Sequence, residues 1–345
     1  MTVLLAMSGG VDSSVACYLL HKEGYDVKGV TFDIGVTDRN KFERDVSDAK
    51  KVASELGIEH EVVSYKELFK SEVLEKFVQG YEEGKTPNPC AICNRVLKFG
   101  ALLDYAMDNG YEFLATGHYA RLKEIGGKKY LFKAKDDKKD QTYFLYGVKD
   151  WSKVLFPLGD YTKEEIRKIA SKLNLATKEK KDSQEVCFIK NDYRDFLKSY
   201  KKIDEKLGNY VDDKGNVLGS HCGISNYTIG QRKGLNIAFG SRKYVVNIDK
   251  DKNEVILGDD EDLYHNTVEA FIHPDKLSTE IEDKIYEVKV RYTRKGESAK
   301  VAIKDNRLIA YFTNAVRGPA PGQSMVVYDG DRLVIGGEIF KFYDK

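Results

Sequence analysis

A seven-residue turn constrains this chain more than any other feature. Ser8-Gly9-Gly10-Val11-Asp12-Ser13-Ser14 lies between Val3–Ala6, an apolar run that reads as a buried strand, and Asp12–Lys22, which has Val15, Ala16, Leu19 and Leu20 on one helical face. Two glycines let the backbone approach an anion closely. The helix N-terminus then offers free N–H groups and the positive end of a dipole, and three serine hydroxyls add donors. A lone Ser-Gly-Gly would be an ordinary capped turn; the full run after an apolar strand points to phosphate binding. It has neither the Gly-Lys-Ser/Thr of a Walker A loop nor the G-x-G-x-x-G of a dinucleotide fold.

Beyond the turn, strand-like and helix-like runs alternate. Tyr25–Phe32 and Ile58–Val63 read as strands and Asp45–Leu56 as a helix stopped by Gly57. Helices over Lys66–Tyr81 and Arg95–Asn109 precede a strand at Glu112–Thr116. This spacing predicts a parallel sheet with helices on both faces. Helical patterning continues through Lys163–Leu173 and Tyr193–Tyr200. After about residue 205 turn pairs such as Asp259-Asp260 and Asp329-Gly330 become frequent. The runs there are short and β-like: Tyr244–Ile248, Glu254–Leu257, Tyr286–Tyr292, Lys300–Ile303, Leu308–Phe312 and Ser324–Tyr328. The expected fold is α/β. A doubly wound parallel-sheet domain spans 1–204, a small central β-rich domain 205–264, and a C-terminal β-barrel 265–345.

The 345 residues hold 56 Lys and Arg against 55 Asp and Glu, a net charge of +1, which excludes a globally basic nucleic-acid binder. Local patches remain. Residues 121–202 hold 22 basic against 13 acidic side chains, a net of +9, and 285–317 hold 8 against 3, a net of +5. Charge runs on helices are often solvated faces, but two basic segments in an otherwise acidic chain also suit a surface that tracks phosphates. No run approaches the ~18 apolar residues of a membrane span. The apolar run at the N-terminus has no basic leader before it, and five cysteines are too few and too odd a set for a disulfide framework. A cytoplasmic protein with no membrane association is expected.

The five cysteines need separate readings. Cys17 lies on the apolar face of the first helix and reads as core; Cys222 reads as incidental. Cys90 and Cys93 lie in Thr86-Pro87-Asn88-Pro89-Cys90-Ala91-Ile92-Cys93-Asn94, where two prolines stiffen a loop ahead of a helix. Cys93 is expected at the helix start, where the dipole favours a thiolate. The fifth, Cys187, lies in Lys181-Asp182-Ser183-Gln184-Glu185-Val186-Cys187-Phe188-Ile189. Lys178, Lys180 and Lys181 nearby predict a lowered thiol pKa. Cys90-x-x-Cys93 could be half of a zinc site, but a second such pair is absent.

Ser8–Ser14 resembles the PP-loop of the ATP pyrophosphatases, whose domain is adenine nucleotide α-hydrolase-like. Members bind the phosphates of ATP, cleave between α and β, and adenylate a carbonyl oxygen that a nucleophile then displaces. Further stretches narrow the resemblance: Thr86–Asn94, Ala115-Thr116-Gly117-His118-Tyr119, Lys139-Asp140-Gln141-Thr142-Tyr143-Phe144-Leu145, Asp182–Ile189 and Tyr227-Thr228-Ile229-Gly230-Gln231-Arg232-Lys233-Gly234-Leu235. Pro321-Gly322-Gln323, Tyr328-Asp329-Gly330 and Gly336-Gly337 close the barrel in the same manner. Together these resemble the tRNA-specific 2-thiouridylase family essentially end to end.

The resemblance implies ATP-dependent 2-thiolation of the wobble uridine of tRNA, with Mg²⁺. It implies an ATP site at Ala6, Met7, Ser8, Gly9, Gly10, Val11, Asp12 and Ser13, with Gly117, and with Phe32 where the family has Met. Cys187 would carry sulfur as a persulfide received from a desulfurase or relay protein, and Cys93 would be its partner thiol in a later disulfide. Asn88, Pro89 and Cys90 would face the target base. Lys139, Asp140 and Gln141 would contact the tRNA, with His118, Arg291, Tyr292 and Gln323 as further contacts. A monomer is expected. The chain departs from the commonest family pattern at Cys90, where that pattern has Asp. Cys90, Cys93 and Cys187 could instead give three thiolates to an iron–sulfur cluster. Two other readings stay open: a PP-loop ligase for a small molecule, which leaves the cysteine loops unexplained, and a non-catalytic tRNA-binding or sulfur-carrier protein, which leaves the PP-loop without purpose.

Overall fold

The computed structural model describes residues 1–35, 38–180, 186–189, 192–201, 206–235, 242–276 and 281–344. It divides into two compact units. The first comprises Met1–Val73, Cys90–Phe188 and Asp331–Leu333; the second comprises Leu74–Pro89, Ile189–Gly330 and Val334–Lys345.

The first unit is built on five parallel strands: β1 (Thr2–Ala6), β2 (Asp26–Asp33), β3 (His60–Ser64), β4 (Phe113–Thr116) and, after a hairpin of β5 (Arg121–Ile125) and β6 (Lys128–Phe132), β7 (Val154–Leu155). Their order is β3-β2-β1-β4-β7, and every pair is parallel. The chain therefore winds one way from β1 to β3 and the other way through β4 and β7. Alternate residues of β1 feed opposite layers. Val3 and Leu5 pack with Val15, Ala16, Leu19, Ala49, Val52, Ile166 and Ala170. Leu4 packs on the other face with Phe99, Leu102, Ala106, Leu114, Leu145 and Trp151. This is the doubly wound sheet the alternating runs predict.

Helix α1 (Val11–Lys22) follows the Gly-rich turn directly, with Cys17 fully buried on its core face. Helix α2 (Arg39–Glu55) starts six residues before the expected Asp45, because the Asp38 side chain caps it by accepting from the N–H groups of Asn40 and Lys41. The helix expected over Arg95–Asn109 also starts earlier. It opens at Pro89–Cys93, continues through a π-helical stretch at Asn94–Ala101, and ends as α-helix at Leu102–Asp108. Proline is well suited to a first helical turn, where its missing N–H costs nothing. Among the described residues, no helix is long and apolar enough to cross a membrane.

The second unit contains two sheets. In one, β8 (Gly208–Val211), β9 (Val217–His221), β10 (Tyr244–Asp249) and β11 (Glu254–Gly258) lie in the order β10-β11-β8-β9. The other runs β12 (Tyr264–Ile272), β15 (Arg307–Arg317), β14 (Glu297–Lys304), β13 (Ile285–Lys289), β16 (Ser324–Asp329) and β17 (Arg332–Tyr343). Pairing of β12 with β17 closes these six strands into a barrel, filled by Val268, Val288, Leu308, Ala310, Met325 and Val327. Two of the three longest barrel strands, β12 and β17, are the ones the short β-like runs do not announce.

Candidate active site

The Gly-rich turn leaves the C-terminal end of β1 at the point where the strand order reverses, the place where open α/β sheets form a crevice for ligands. Gly9 has φ +66°, and a Cβ there would stand 2.2 Å from the Asp45 carbonyl oxygen, so only glycine fits. Ser13 Oγ accepts from Ser8 N–H at 3.2 Å, and the hydroxyls of Ser13 and Ser14 donate to the Gly10 carbonyl at 3.2 and 2.9 Å. Gly117, just after β4, closes on the turn: a Cβ there would lie 3.2 Å from Ser13 N. Ala6, Met7 and Val11 flank the turn, with Met7 and Val11 buried. Phe32, near the end of β2, is half-buried against the core layer that holds Leu4.

Two lysines that the sequence reading did not connect with this turn hold it. Lys163 follows a capping box formed by Thr162 and Glu165 and is itself buried. Its ammonium donates to both oxygens of Asp12, at 2.7 and 2.8 Å, and Tyr119 donates to Asp12 Oδ1 at 2.7 Å. Lys180 reaches the Gly9 carbonyl at 2.9 Å, Asp45 at 2.6 Å and Asp48 at 2.8 Å. The signal for Lys163 was its place just inside a Thr-x-x-Glu helix start; for Lys180 there was none, since its partners lie over a hundred residues away.

A second cluster in the same unit gathers three thiols. Cys90 and Cys93 stand three apart in the opening helical turn and share one face. Cys187 sits on an exposed turn, which is anchored by the buried Phe188 ring lying edge-on to Phe69 with centroids 5.9 Å apart. A thiolate at Cys93 or Cys90 would raise the Cys187 pKa, which puts the three thiols within electrostatic reach of one another. The lowering expected of Cys93 and Cys187 is overturned. Burial first pushes Cys90 up to about 11 and raises Cys93. Cys187 is raised by the protein around it and then by the other two thiols, though its exposure tempers the rise. The reasons are geometric. Cys93 lies a turn inside the helix rather than at its start. Lys180 is engaged at Asp45 and Asp48, and Lys178 at Asn174. Lys181, Asp182, Ser183, Gln184 and Glu185 lie outside the described residues.

The cation that acts on all three thiols is Lys98, which the sequence reading missed; it lowers each of them against the effect of burial. A π-helical stretch, closing i→i+5, brings residue 98 round to the side of residue 93. Lys98 Nζ lies 3.3 Å from His118 Nε2, and Thr116 Oγ1 lies 2.6 Å from His118 Nδ1. Since an ammonium only donates, Nε2 is the acceptor and Nδ1 carries the ring hydrogen. Burial, and then Lys98, hold the His118 pKa well below its ordinary value, so the ring is neutral at physiological pH. Phe99 and Phe156 wall it in, with ring centroids 5.7 and 5.9 Å from the imidazole. Among the described residues no three His, Cys, Asp or Glu side chains group closely enough to hold a metal ion.

Of the other expected contacts, Asp140 is buried and accepts from Ala134 N–H at 2.9 Å and Thr142 Oγ1 at 2.7 Å; Gln141 accepts from Tyr119 N–H at 2.9 Å. Lys139 beside them is half-buried. In the second unit, Gln323 donates to the Thr86 carbonyl at 2.9 Å, and Asn88, which is buried, donates to Ser324 Oγ at 3.0 Å. Gly322, at φ +85°, lets the barrel turn approach Thr86 to within 3.0 Å of where a Cβ would be. The proline-rich segment ending at Pro89 is thus braced by the barrel. Arg291 donates to the carbonyls of Gly318 at 2.9 Å and Ile229 at 3.1 Å, tying the barrel to the Tyr227–Leu235 run, and Tyr292 lies under Lys289.

A parallel sheet of this order, with a glycine-opened phosphate loop at its reversal point, makes the first unit a PP-loop domain of the ATP pyrophosphatase class, and so one that uses ATP. The family models agree with that architecture: one described as tRNA methyl transferase HUP domain matches residues 1–191, one described as tRNA methyl transferase PRC-barrel domain matches 194–259, and one described as aminomethyltransferase beta-barrel domain matches 271–339. The chain belongs to the tRNA-specific 2-thiouridylase family. It is 44% identical over 348 residues to tRNA-specific 2-thiouridylase MnmA 1 of Clostridium botulinum (strain Okra / Type B1), covering 98% of both chains. It is also 44% identical over 353 residues to tRNA-specific 2-thiouridylase MnmA of Clostridium acetobutylicum, covering 98% of this chain and 99% of the relative. Among solved structures, the U34-tRNA thiolase NcsA from Methanococcus maripaludis, described with its 4Fe–4S cluster, is 22% identical. It covers 59% of this chain and 65% of that one with a TM-score of 0.38, too slight a likeness to carry an argument.

Proposed function

We propose that this chain adenylates the C2 oxygen of the wobble uridine of tRNA with ATP and replaces that oxygen with sulfur drawn from a cysteine persulfide. The observation that supports this most is the placing of Cys90, Cys93 and Cys187 within electrostatic reach of one another, in the unit that also carries the phosphate loop. Transfer of a methyl group, named in two of the family-model descriptions, gives three converging thiols no task.

Uridine's C2 oxygen leaves poorly. Its attack on the α-phosphate releases pyrophosphate and makes AMP the leaving group. Ala6, Met7, Ser8, Gly9, Gly10, Val11, Asp12, Ser13 and Gly117 hold the phosphates, Phe32 lines the adenine, and Mg²⁺ accompanies the nucleotide. Cys187 receives sulfur from a desulfurase or relay protein. The terminal sulfur of its persulfide bonds to C2, and AMP departs. Cys93 then attacks Cys187 Sγ. The persulfide S–S bond breaks, its electron pair stays on the transferred sulfur, and the Cys93–Cys187 disulfide that forms is reset by a dithiol reductant. Asn88, Pro89 and Cys90 face the base, which must leave the anticodon stack for C2 to be reached. Lys139 and Gln141, positioned by the buried Asp140, contact the tRNA with His118, Arg291, Tyr292 and Gln323. In this reading the domains are 1–204, 205–264 and 265–345, and the protein acts as a cytoplasmic monomer. An iron–sulfur cluster on the same three cysteines is the competing reading.

The test incubates the protein with ATP, Mg²⁺, tRNA and a cysteine desulfurase with cysteine as the source of sulfane sulfur, and reads pyrophosphate release and the nucleosides by mass spectrometry. The expected result is tRNA-dependent pyrophosphate and 2-thiouridine. Cys187→Ser should lose thiolation and keep ATP binding. Pyrophosphate without tRNA would favour a small-molecule ligase, and thiolation by Cys187→Ser at near wild-type rate would remove the persulfide role.

A further inference from the structure

The hairpin of β5 and β6, in the first unit, carries none of the residues assigned to adenylation or sulfur transfer. Its register pairs Arg121 with Phe132, Lys123 with Tyr130 and Ile125 with Lys128. Side chains alternate along each strand and paired residues share a face, so these six side chains lie together. The opposite face holds Leu122, Glu124, Lys129 and Leu131, of which the two leucines pack into the core layer around Leu4. The first face therefore looks to solvent, with Lys123, Ile125 and Lys128 exposed. It has three cations and two aromatic rings, and the hairpin's one acid, Glu124, is on the other face. Each ring carries a cation. Lys123 Nζ lies 4.8 Å from the Phe132 centroid; Lys128 Nζ and the Arg332 guanidinium lie 5.7 and 5.6 Å from that of Tyr130. A ring holds a cation in place without neutralising it. Among the described residues neither Lys123 nor Lys128 has a carboxylate partner, whereas the lysines at the phosphate loop are paired with Asp12, Asp45 and Asp48.

We propose that the solvent face of this hairpin is a docking surface for the sugar–phosphate backbone of tRNA, away from the base that reacts, with Lys123 and Lys128 as the contacting cations. This rests on the reading of tRNA as the substrate. Charge complementarity selects the occupant. Cations interleaved with rings and unmatched by carboxylates suit a phosphate backbone, and such contacts position a nucleic acid without reading its sequence. The rings are already covered by cations, so the contact is to phosphate rather than to a stacked base. Arg121 is engaged by Asp331 at 3.0 Å and by the Lys133 carbonyl at 2.6 Å and shapes the face from within. An acidic protein would feel the same charge, but a protein interface packs around an apolar centre, and the exposed aliphatic side chain on this face is Ile125 alone.

The experiment titrates the full chain into a fluorescently labelled, unmodified tRNA with uridine at the wobble position, without ATP or sulfur donor, across about 50 to 200 mM salt. Wild type is compared with Lys123→Gln plus Lys128→Gln, and with Lys123→Arg plus Lys128→Arg. Each phosphate contact contributes about 0.7–0.9 to the slope of log affinity against log salt. The Gln pair should therefore lower that slope by about 1.5 and weaken binding about tenfold at 0.1 M salt. The Arg pair keeps both charges and should bind within about threefold of wild type. Both pairs are exposed, so unfolding midpoints should stay at the wild-type value, which separates lost contact from lost fold. A Gln pair with wild-type affinity and slope overturns the proposal and leaves the substrate reading standing. A wild-type chain that binds no tRNA overturns both. A Gln pair that binds tRNA normally but loses thiolation with a cysteine desulfurase as sulfur source would give the face to an acidic protein, and that too overturns the proposal.

Discussion

The phosphate loop and the thiol cluster share one unit but are built on opposite terms. At the loop, the charged groups are matched: Lys163 with Asp12, Lys180 with Asp45 and Asp48, and the serine hydroxyls with the backbone of Gly10. At the cluster, three thiols are pushed toward the neutral form, and Lys98, which acts against that rise, has no carboxylate partner among the described residues. A loop that must hold a polyanion in one geometry gains from rigid, short-range pairing. A site that must pass an atom from one group to another needs charge held in reserve. The two regions should therefore answer differently to substitution: the loop through geometry, the cluster through protonation.

The largest effect is expected where geometry alone is at stake. Gly9→Ala puts a Cβ 2.2 Å from the Asp45 carbonyl oxygen at a φ of +66°. The left-handed conformation costs roughly 1–2 kcal/mol for a residue with a side chain, and forced overpacking typically another 1–3 kcal/mol. Denaturant unfolding should show a loss of about 2–4 kcal/mol, and calorimetry should show ATP binding abolished. An unchanged unfolding midpoint with normal ATP affinity would mean that the loop is not held as tightly as its contacts suggest.

That contrast also governs what could be read from the sequence. The loop was legible because its determinants are local: glycines, serines and a flanking strand and helix all lie between Thr2 and Lys22. The parallel sheet was legible for the same reason. The thiol cluster was not, because its geometry depends on distant segments and on an irregular helix. Read as an α-helix starting at Arg95, the chain puts Lys98 out of step with Cys93; the π-helical stretch brings it round. Sequence proximity misled at Cys187, where Lys180 is near in the chain but reaches instead to Asp45 and Asp48. In the barrel, β12 mixes Tyr264, His265, Asn266 and Glu269 with its apolar residues, and a bulge interrupts its pairing, so the run does not alternate cleanly.

A smaller effect should appear at His118 as pH falls. The folded pKa lies well below the ordinary 6.5 because burial and Lys98 disfavour the charged ring, while the unfolded ring titrates normally. The unfolded chain thus binds more protons below about pH 6.5. Stability is fully present above that value and is lost as pH falls toward and through the depressed one. For one proton the slope is at most about 1.4 kcal/mol per pH unit. His118→Gln should remove this component. His60 and His221, also lowered, act alike in both proteins and cancel in the difference. Parallel stability curves for wild type and variant between about pH 4 and 7 would show that His118 titrates in the folded protein as it does in the unfolded one.

The smallest effect should be at Cys90, where the chain differs from the commonest family pattern. Its thiol is pushed up to about 11 by burial, with Lys98 only partly offsetting this. At pH 7.5 a group with that pKa is ionised in fewer than about one molecule in a thousand, so it neither repels a thiolate on Cys187 nor serves as a nucleophile. Cys90→Ala should therefore leave thiolation within about twofold of wild type, the small residue being of slightly lower volume in a half-buried position. A cluster ligand would behave otherwise, because removing one of three thiolates from an iron–sulfur site takes away both metal and activity. Anaerobic purification followed by iron analysis of wild type and Cys90→Ala separates the two. Iron in the wild type that disappears with Cys90, together with a loss of thiolation far beyond twofold, would replace the persulfide with a cluster and make the reserve of charge at Lys98 a feature of metal binding.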